Sequence, residues 1–182
     1  MSKILKHIDI ELTRSSLTKA IKEVNLFRDQ LTQSMNDLMK KLVEEGISVA
    51  RIQIASMDAV DTGALEHSIA GYFDPQTRIG YVYSGSMYAI YVEYGTGPIG
   101  AQNRHPAPET ANWAYAIGDS IRPTKDGRLG WVYMKGSDGV FSSDGGNFRW
   151  TEGYESRPFM FNTLQWLEEA AETIASTVWN QM

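Results

Sequence analysis

The run SLTKAIKEVNLFRDQLTQSMNDLMKKLVEEGISVARIQIASM, from Ser16 to Met57, decides the fold. Leu17, Ile21, Val24, Leu31, Met35, Leu38 and Leu42 recur at spacings of three, four and seven, and Val49, Ile52 and Met57 extend the stripe less cleanly. This is the period of one face of an α-helix. The run contains no Pro, and its only Gly is Gly46. It predicts one long amphipathic helix over residues 16–57, about 60 Å long if unbroken. Ser15 and Ser16 are the expected N-caps, and Gly46 is the place where the helix would bend or divide. Such a stripe packs on the core of its own domain. Because about 60 Å exceeds the diameter of a small domain, part of it is also available to another subunit.

On the N-terminal side, Ile8, Ile10 and Leu12 alternate with His7, Asp9 and Glu11. That period of two predicts a short strand, or an arm over residues 1–14 that adds to a neighbour's sheet. On the C-terminal side, Asp58-Ala-Val-Asp-Thr-Gly63 stops the helix. Asp61 and Thr62 are placed to cap the turn, and Gly63 to take a positive φ. Ala64–Ile69 allows one helical turn. Tyr72-Phe73 and Ile79–Ser84 read as strands around an Asp74-Pro75 turn, with Ile79, Tyr81 and Tyr83 on one face and Gly80 and Val82 on the other. Met87–Tyr94 predicts a helical turn closed by Gly95. A Gly/Pro-rich loop follows over residues 95–108, then a short helix from Pro108 to Gly118. Trp131–Met134 pairs with Phe148-Arg-Trp150 in a Gly-rich lobe, and Arg157-Pro-Phe159 leads into a last helix over residues 160–180. The pattern predicts an α+β fold: a long helix packed on a small antiparallel sheet, a C-terminal helix, and residues 106–150 inserted as a loop and hairpin lobe.

A chain of 182 residues fits one domain and can bury a core unaided. It has no Cys, which excludes disulfide scaffolds, thiol catalysis and Cys-rich zinc sites. No run reaches the ~20 apolar residues that span a bilayer, and the segment from Met1 to Ile10 breaks into charge too soon for a secretory signal. Net charge is −5, and it is unevenly placed: residues 1–58 hold 9 basic and 8 acidic side chains, residues 59–182 hold 8 and 14. The basic footprint that grips nucleic acid is missing. Gly127, Gly130, Gly136, Gly139, Gly145 and Gly146 predict that residues 119–150 are mobile in a free subunit and ordered against a neighbour.

Two motifs imitate catalytic ones. Gly95-Thr-Gly-Pro-Ile-Gly100 has the letters of a dinucleotide loop, but the Pro residues at 98, 106 and 108 leave no helix after it to meet a pyrophosphate. Ala59-Val-Asp-Thr-Gly-Ala64 matches the aspartic-protease loop, in which Asp61 would share a proton with a dimer mate. That site sits on an all-β scaffold, whereas here a long helix leads into it. His7, His67 and His105 lack metal-ligand spacing and read as surface or turn residues. No catalytic, cofactor or metal site is expected. Among the apolar residues Tyr88, Ile90 and Val92, which cannot all face solvent in so short a stretch, Glu93 needs a partner, and Arg157 is the candidate.

Three blocks, in order, carry a resemblance: Val60-Asp-Thr-Gly-Ala-Leu-Glu-His-Ser-Ile69, Tyr88-Ala-Ile-Tyr-Val-Glu-Tyr-Gly-Thr96 and Arg157-Pro-Phe-Met-Phe-Asn-Thr-Leu164. Flanked by a long helix and a closing one, they resemble the neck, tail-completion or minor tail (Z-like) proteins of the head–tail junction of tailed bacteriophages. The resemblance covers residues 45–105 and 150–180, and the first helix by pattern only; residues 106–150 are longer than in compact members. It implies a non-enzymatic virion protein, assembled in the host bacterial cytoplasm, that forms a ring of six copies. The ring would join head-closure proteins to the tail terminator or tail tube and let genomic DNA pass without specific binding. It marks Asp61, Thr62, Gly63, Leu65, Tyr88, Tyr91, Glu93, Gly95, Thr96, Arg157, Pro158 and Phe159 as structural or interface residues. A tail-terminator ring proper is the near alternative, and a homodimeric protease using Asp61 the distant one.

Overall fold

The computed structural model describes residues 8, 10–59, 63–115, 122–123, 126–134 and 148–180. The fold is α+β. The long apolar stripe becomes α1, Arg14–Ser56, a single helix of 43 residues. Its N-cap is Thr13, two to three residues before the two serines: Thr13 Oγ1 accepts the Ser16 amide at 3.2 Å, and Ser16 Oγ instead accepts the Glu11 amide at 3.0 Å. The helix stops at Asp58, which takes a left-handed φ of 51°. Ala59 N–H reaches back to Ile54 O at 3.1 Å and Asp58 N–H to Ala55 O at 3.3 Å, the two bonds of a Schellman close.

The described chain forms two compact units, each assembled from separate stretches of sequence. The first holds α1 up to Val49, residues 69–83 and the chain from Thr163. Its sheet is a two-stranded antiparallel hairpin, β1 (Ile69–Asp74) and β2 (Ile79–Ser84). Asp74 builds the turn, accepting the Gln76 amide and the Thr77 hydroxyl, each at 2.8 Å. The predicted alternation along β2 holds: Ile79, Tyr81 and Tyr83 are exposed, and Gly80 and Val82 are half-buried. The inner face lies against α1 at very short range. A Cβ on Gly80 would stand 2.6 Å from Val43 Cγ2, and one on Gly71 2.9 Å from Ile47 Cδ1. Gly46 does not break α1. It is buried, and a Cβ there would meet Val82 Cγ2 at 2.8 Å and Leu167 Cδ1 at 3.2 Å. Its smallness lets the helix meet both the hairpin and the last helix, α5 (Phe159–Trp179).

The second unit holds residues 50–68 and 84–162. Its helices are short: α2 (Ala64–His67), α3 (Ala89–Tyr94) and α4 (Gly97–Gln102). The loop expected over residues 95–108 therefore contains a helix, because Pro98 lies in the first turn, where its missing N–H costs no bond. The helix expected from Pro108 to Gly118 is instead one 3-10 turn, Pro108–Ala111, closed by Asn112 at φ 48°. A three-stranded sheet of β3 (Arg122–Pro123), β4 (Leu129–Met134) and β5 (Phe148–Thr151) has the order β3-β4-β5. The predicted hairpin is present, with Trp131 opposite Thr151 and Met134 opposite Phe148. The lobe's remaining residues, 116–121, 124–125 and 135–147, lie outside the described ones, as do most of the N-terminal arm, Val60, Asp61 and Thr62. Among the described residues no helix is long and apolar enough to cross a membrane.

Candidate functional site

α3 carries the second block of the resemblance. Its residues obey a helical period, so Ala89 and Glu93, four apart, turn inward, while Tyr88, Ile90 and Tyr91 stay exposed. Val92 is half-buried. Gly95 ends the helix at φ 74°, and a Cβ on it would stand 2.6 Å from Ser156 N, so only Gly fits this approach of two backbones.

Glu93 is 7% exposed, and both its carboxylate oxygens accept hydrogen bonds. Oε2 accepts the Met160 amide at 2.8 Å; Oε1 accepts the Phe161 amide at 2.9 Å and His105 Nε2–H at 3.0 Å. Met160 and Phe161 are the second and third residues of α5, so Glu93 caps that helix from a distant segment and places negative charge at its positive end. Pro158, just before α5, has no side-chain acceptor to do this locally.

Arg157 does not fill the expected role. Its backbone N–H donates to Val92 O at 2.9 Å, while its Nη1 donates to Asp58 O at 2.8 Å and its Nε lies 3.9 Å from Glu155. Arg157 thus ties the third block to the close of α1, and Glu93 takes neutral amides and an imidazole instead. The partner missed from the sequence is His105. It is 4% exposed, not a surface residue. Its ring lies 4.3 Å from that of Tyr94 and 5.3 Å edge-on from Phe161. The Ala107 amide donates to its Nδ1 at 3.0 Å, which fixes the Nε2–H tautomer. The helix start after Pro158, with no capping side chain beside it, was the available signal that an acceptor must come from elsewhere.

The surrounding bonds close the same junction. Ser156 Oγ donates to Glu93 O at 2.6 Å, Trp113 Nε1 to Gly95 O at 2.9 Å, and Tyr94 shares a hydroxyl bond with Thr110 at 2.8 Å. Thr96 and Tyr154 exchange backbone bonds of 2.8 and 3.1 Å. Thr96 is buried.

Of the sequence-predicted residues, Tyr88, Tyr91, Glu93, Gly95, Thr96, Arg157, Pro158 and Phe159 lie in or beside this junction. Leu65 and Phe159 are buried, at 2% and 1% exposure. Gly63 takes the expected positive φ, 77°. Asp61 and Thr62 lie outside the described residues. Both nitrogens of His105 and both oxygens of Glu93 are hydrogen-bonded to protein groups, so the pair works as a clasp between three segments. Among the described residues no three His, Cys, Asp or Glu side chains gather as a metal would require. Compared with protein families, with curated proteins and with solved structures, the chain finds no match in any of the three.

Proposed function

We propose that this chain is a structural subunit of the head–tail junction of a tailed bacteriophage. Six copies form a ring that joins head-closure proteins to the tail terminator or tail tube, and genomic DNA passes through the lumen without specific binding. The protein performs no chemistry of its own and resides in the virion. The reading rests on the ordered blocks 60–69, 88–96 and 157–164. The observation that carries it furthest is that two of them, distant in sequence, meet at one buried carboxylate: Glu93 of the second block caps the helix that opens in the third. Residues that recur as a signature for structural reasons are expected to hold a fold together in this way. The acidic balance after residue 58 suits a channel that must not adhere to DNA.

Disruption of the gene in the phage that encodes it tests the reading. DNA-filled heads and finished tails should accumulate unjoined, supply of the intact chain should restore infectious particles, and mass spectrometry should find the chain in them. Normal titre without the gene would overturn the proposal.

A further inference from the structure

Among the described residues, the first unit carries two exposed apolar faces. One is the outer face of the hairpin, where Tyr72, Ile79, Tyr81 and Tyr83 are 55, 46, 48 and 50% exposed and Tyr72 stacks on Tyr81 at 6.4 Å. The other is the N-terminal part of α1, where Leu17, Ile21 and Val24 are 44, 63 and 54% exposed, with Met35 at 41%. At roughly 100 Å² of open surface for each half-exposed large side chain, each face offers about 350–400 Å². That is the size of the largest apolar patch on a typical monomer, which is often functional, and here there are two.

The two faces complement each other. A hairpin that packs a helix on one side through Gly71, Gly80 and Val82 presents an aromatic surface on the other, and an apolar helical stripe can pack on such a surface. They cannot meet within one chain. The hairpin touches α1 at Met39, Val43, Gly46 and Ile47, and Ile21 stands about 33 Å further along the same helix at ~1.5 Å per residue. The hairpin's outer face also points away from α1. We infer that the Leu17–Met35 stripe of one copy packs on the Tyr72–Tyr83 face of the next copy. The outer face of the hairpin is then covered by a neighbour's helix, as its inner face is covered by its own.

This contact joins two different surfaces, so it propagates head to tail and closes into a ring when the rotation permits. The apolar anchors alone would bury roughly 750 Å² over both partners, short of the ~1,200–2,000 Å² of stable interfaces, so the contact also requires the polar residues around them. The inference rests on the self-assembly part of the function proposed above, and not on its phage setting.

The chain has no Cys, so single thiols can be introduced cleanly. Ile21→Cys and Tyr81→Cys both alter exposed side chains, and circular dichroism should find the fold intact. Chains carrying one or the other, with different tags, are mixed at high concentration and treated with a short bis-thiol cross-linker. The expected product is a covalent dimer of the two variants, at least tenfold more abundant than the self-dimer of either. Equal self-dimers, or no mixed product, overturn the contact. Electron microscopy of the same samples separates the two claims. Rings without the mixed product would sink this contact and leave the ring standing, whereas the mixed product with open filaments would keep the contact and sink the closed ring. As a second reading, Tyr81→Glu should raise the dissociation constant for self-association at least tenfold; an unchanged value would count against the face.

Discussion

Glu93 gathers three hydrogen bonds of the second unit on one side chain. Glu93→Gln keeps the size but turns an NH2 group toward donors, so at least one of the Met160, Phe161 and His105 hydrogens loses its acceptor. The expected loss is about 2–4 kcal/mol, since hydrogen bonds to charged groups are worth more than neutral ones and buried donors left unpaired are costly. Urea unfolding measures it, and a change below the noise of that method would refute the clasp. His105→Ala should cost less, because the two helix amides keep their acceptor. Asp74 does its work at the hairpin turn between β1 and β2. The Gln76 amide first, and the Thr77 hydroxyl second, hold its carboxyl below the usual carboxylate range. As pH falls, the unfolded chain, with an ordinary value near ~3.9, takes up its proton before the folded one does. The contribution is therefore complete above that value and lost as pH drops through the folded one. The difference in thermal midpoint between the native chain and Asp74→Asn should narrow on acidification; a constant gap from pH 7 to pH 2.5 would rule this out.

At the scale of elements, the glycines of the hairpin set how close α1 can come. Gly80→Ala should destabilise by about 1–3 kcal/mol through overpacking against Val43. Val43→Ala in the same chain should recover part of that loss, because the added methyl then has room. Additive losses in this double-mutant cycle would mean that the two residues do not compete for the same space. The elements with a strong period were legible from sequence: the stripe from Leu17 to Leu42 gave α1, the Tyr81/Tyr83 alternation gave the hairpin faces, and Trp131–Met134 with Phe148–Trp150 gave the second hairpin. The short elements were not. Pro98 looked like a breaker because its place in a first turn depends on where Gly97 starts the helix. Pro108 opened only one 3-10 turn because Asn112 reverses the chain. The clasp itself was half legible. That Glu93 must be partnered follows from its apolar neighbours, but His105 and the α5 amides reach it only through tertiary folding, and no local rule chooses them over a nearby Arg.

For the whole molecule, the proposed function makes charge, more than shape, decide how passing DNA is treated. With 8 basic and 14 acidic side chains after residue 58, the purified chain should lack sub-micromolar, salt-sensitive affinity for random duplex DNA. Fluorescence anisotropy at low ionic strength is the demanding condition, since screening is weakest there. Tight binding that weakens steeply with salt would overturn the picture of a duplex that slides past. Lys19, Lys22 and Arg28 belong to the near-neutral first third of the chain, which the proposed function expects to face other proteins.

The distance in sequence between Glu93 and Met160, 67 positions, also sets an order of events in time. A ribosome exposes α3 well before it releases the residues whose amides need that carboxylate. Until then Glu93 and His105 must stay wet, and the segments around them cannot finish packing. Closing so long a loop adds a slow, entropically opposed step to refolding. A chain ending before Met160 should therefore remain protease-sensitive through residues 88–115, while the complete chain gains resistance there in one concerted phase. Time-resolved proteolysis during refolding would reveal it, and early protection of that stretch in the shortened chain would show that the junction closes without its last partner.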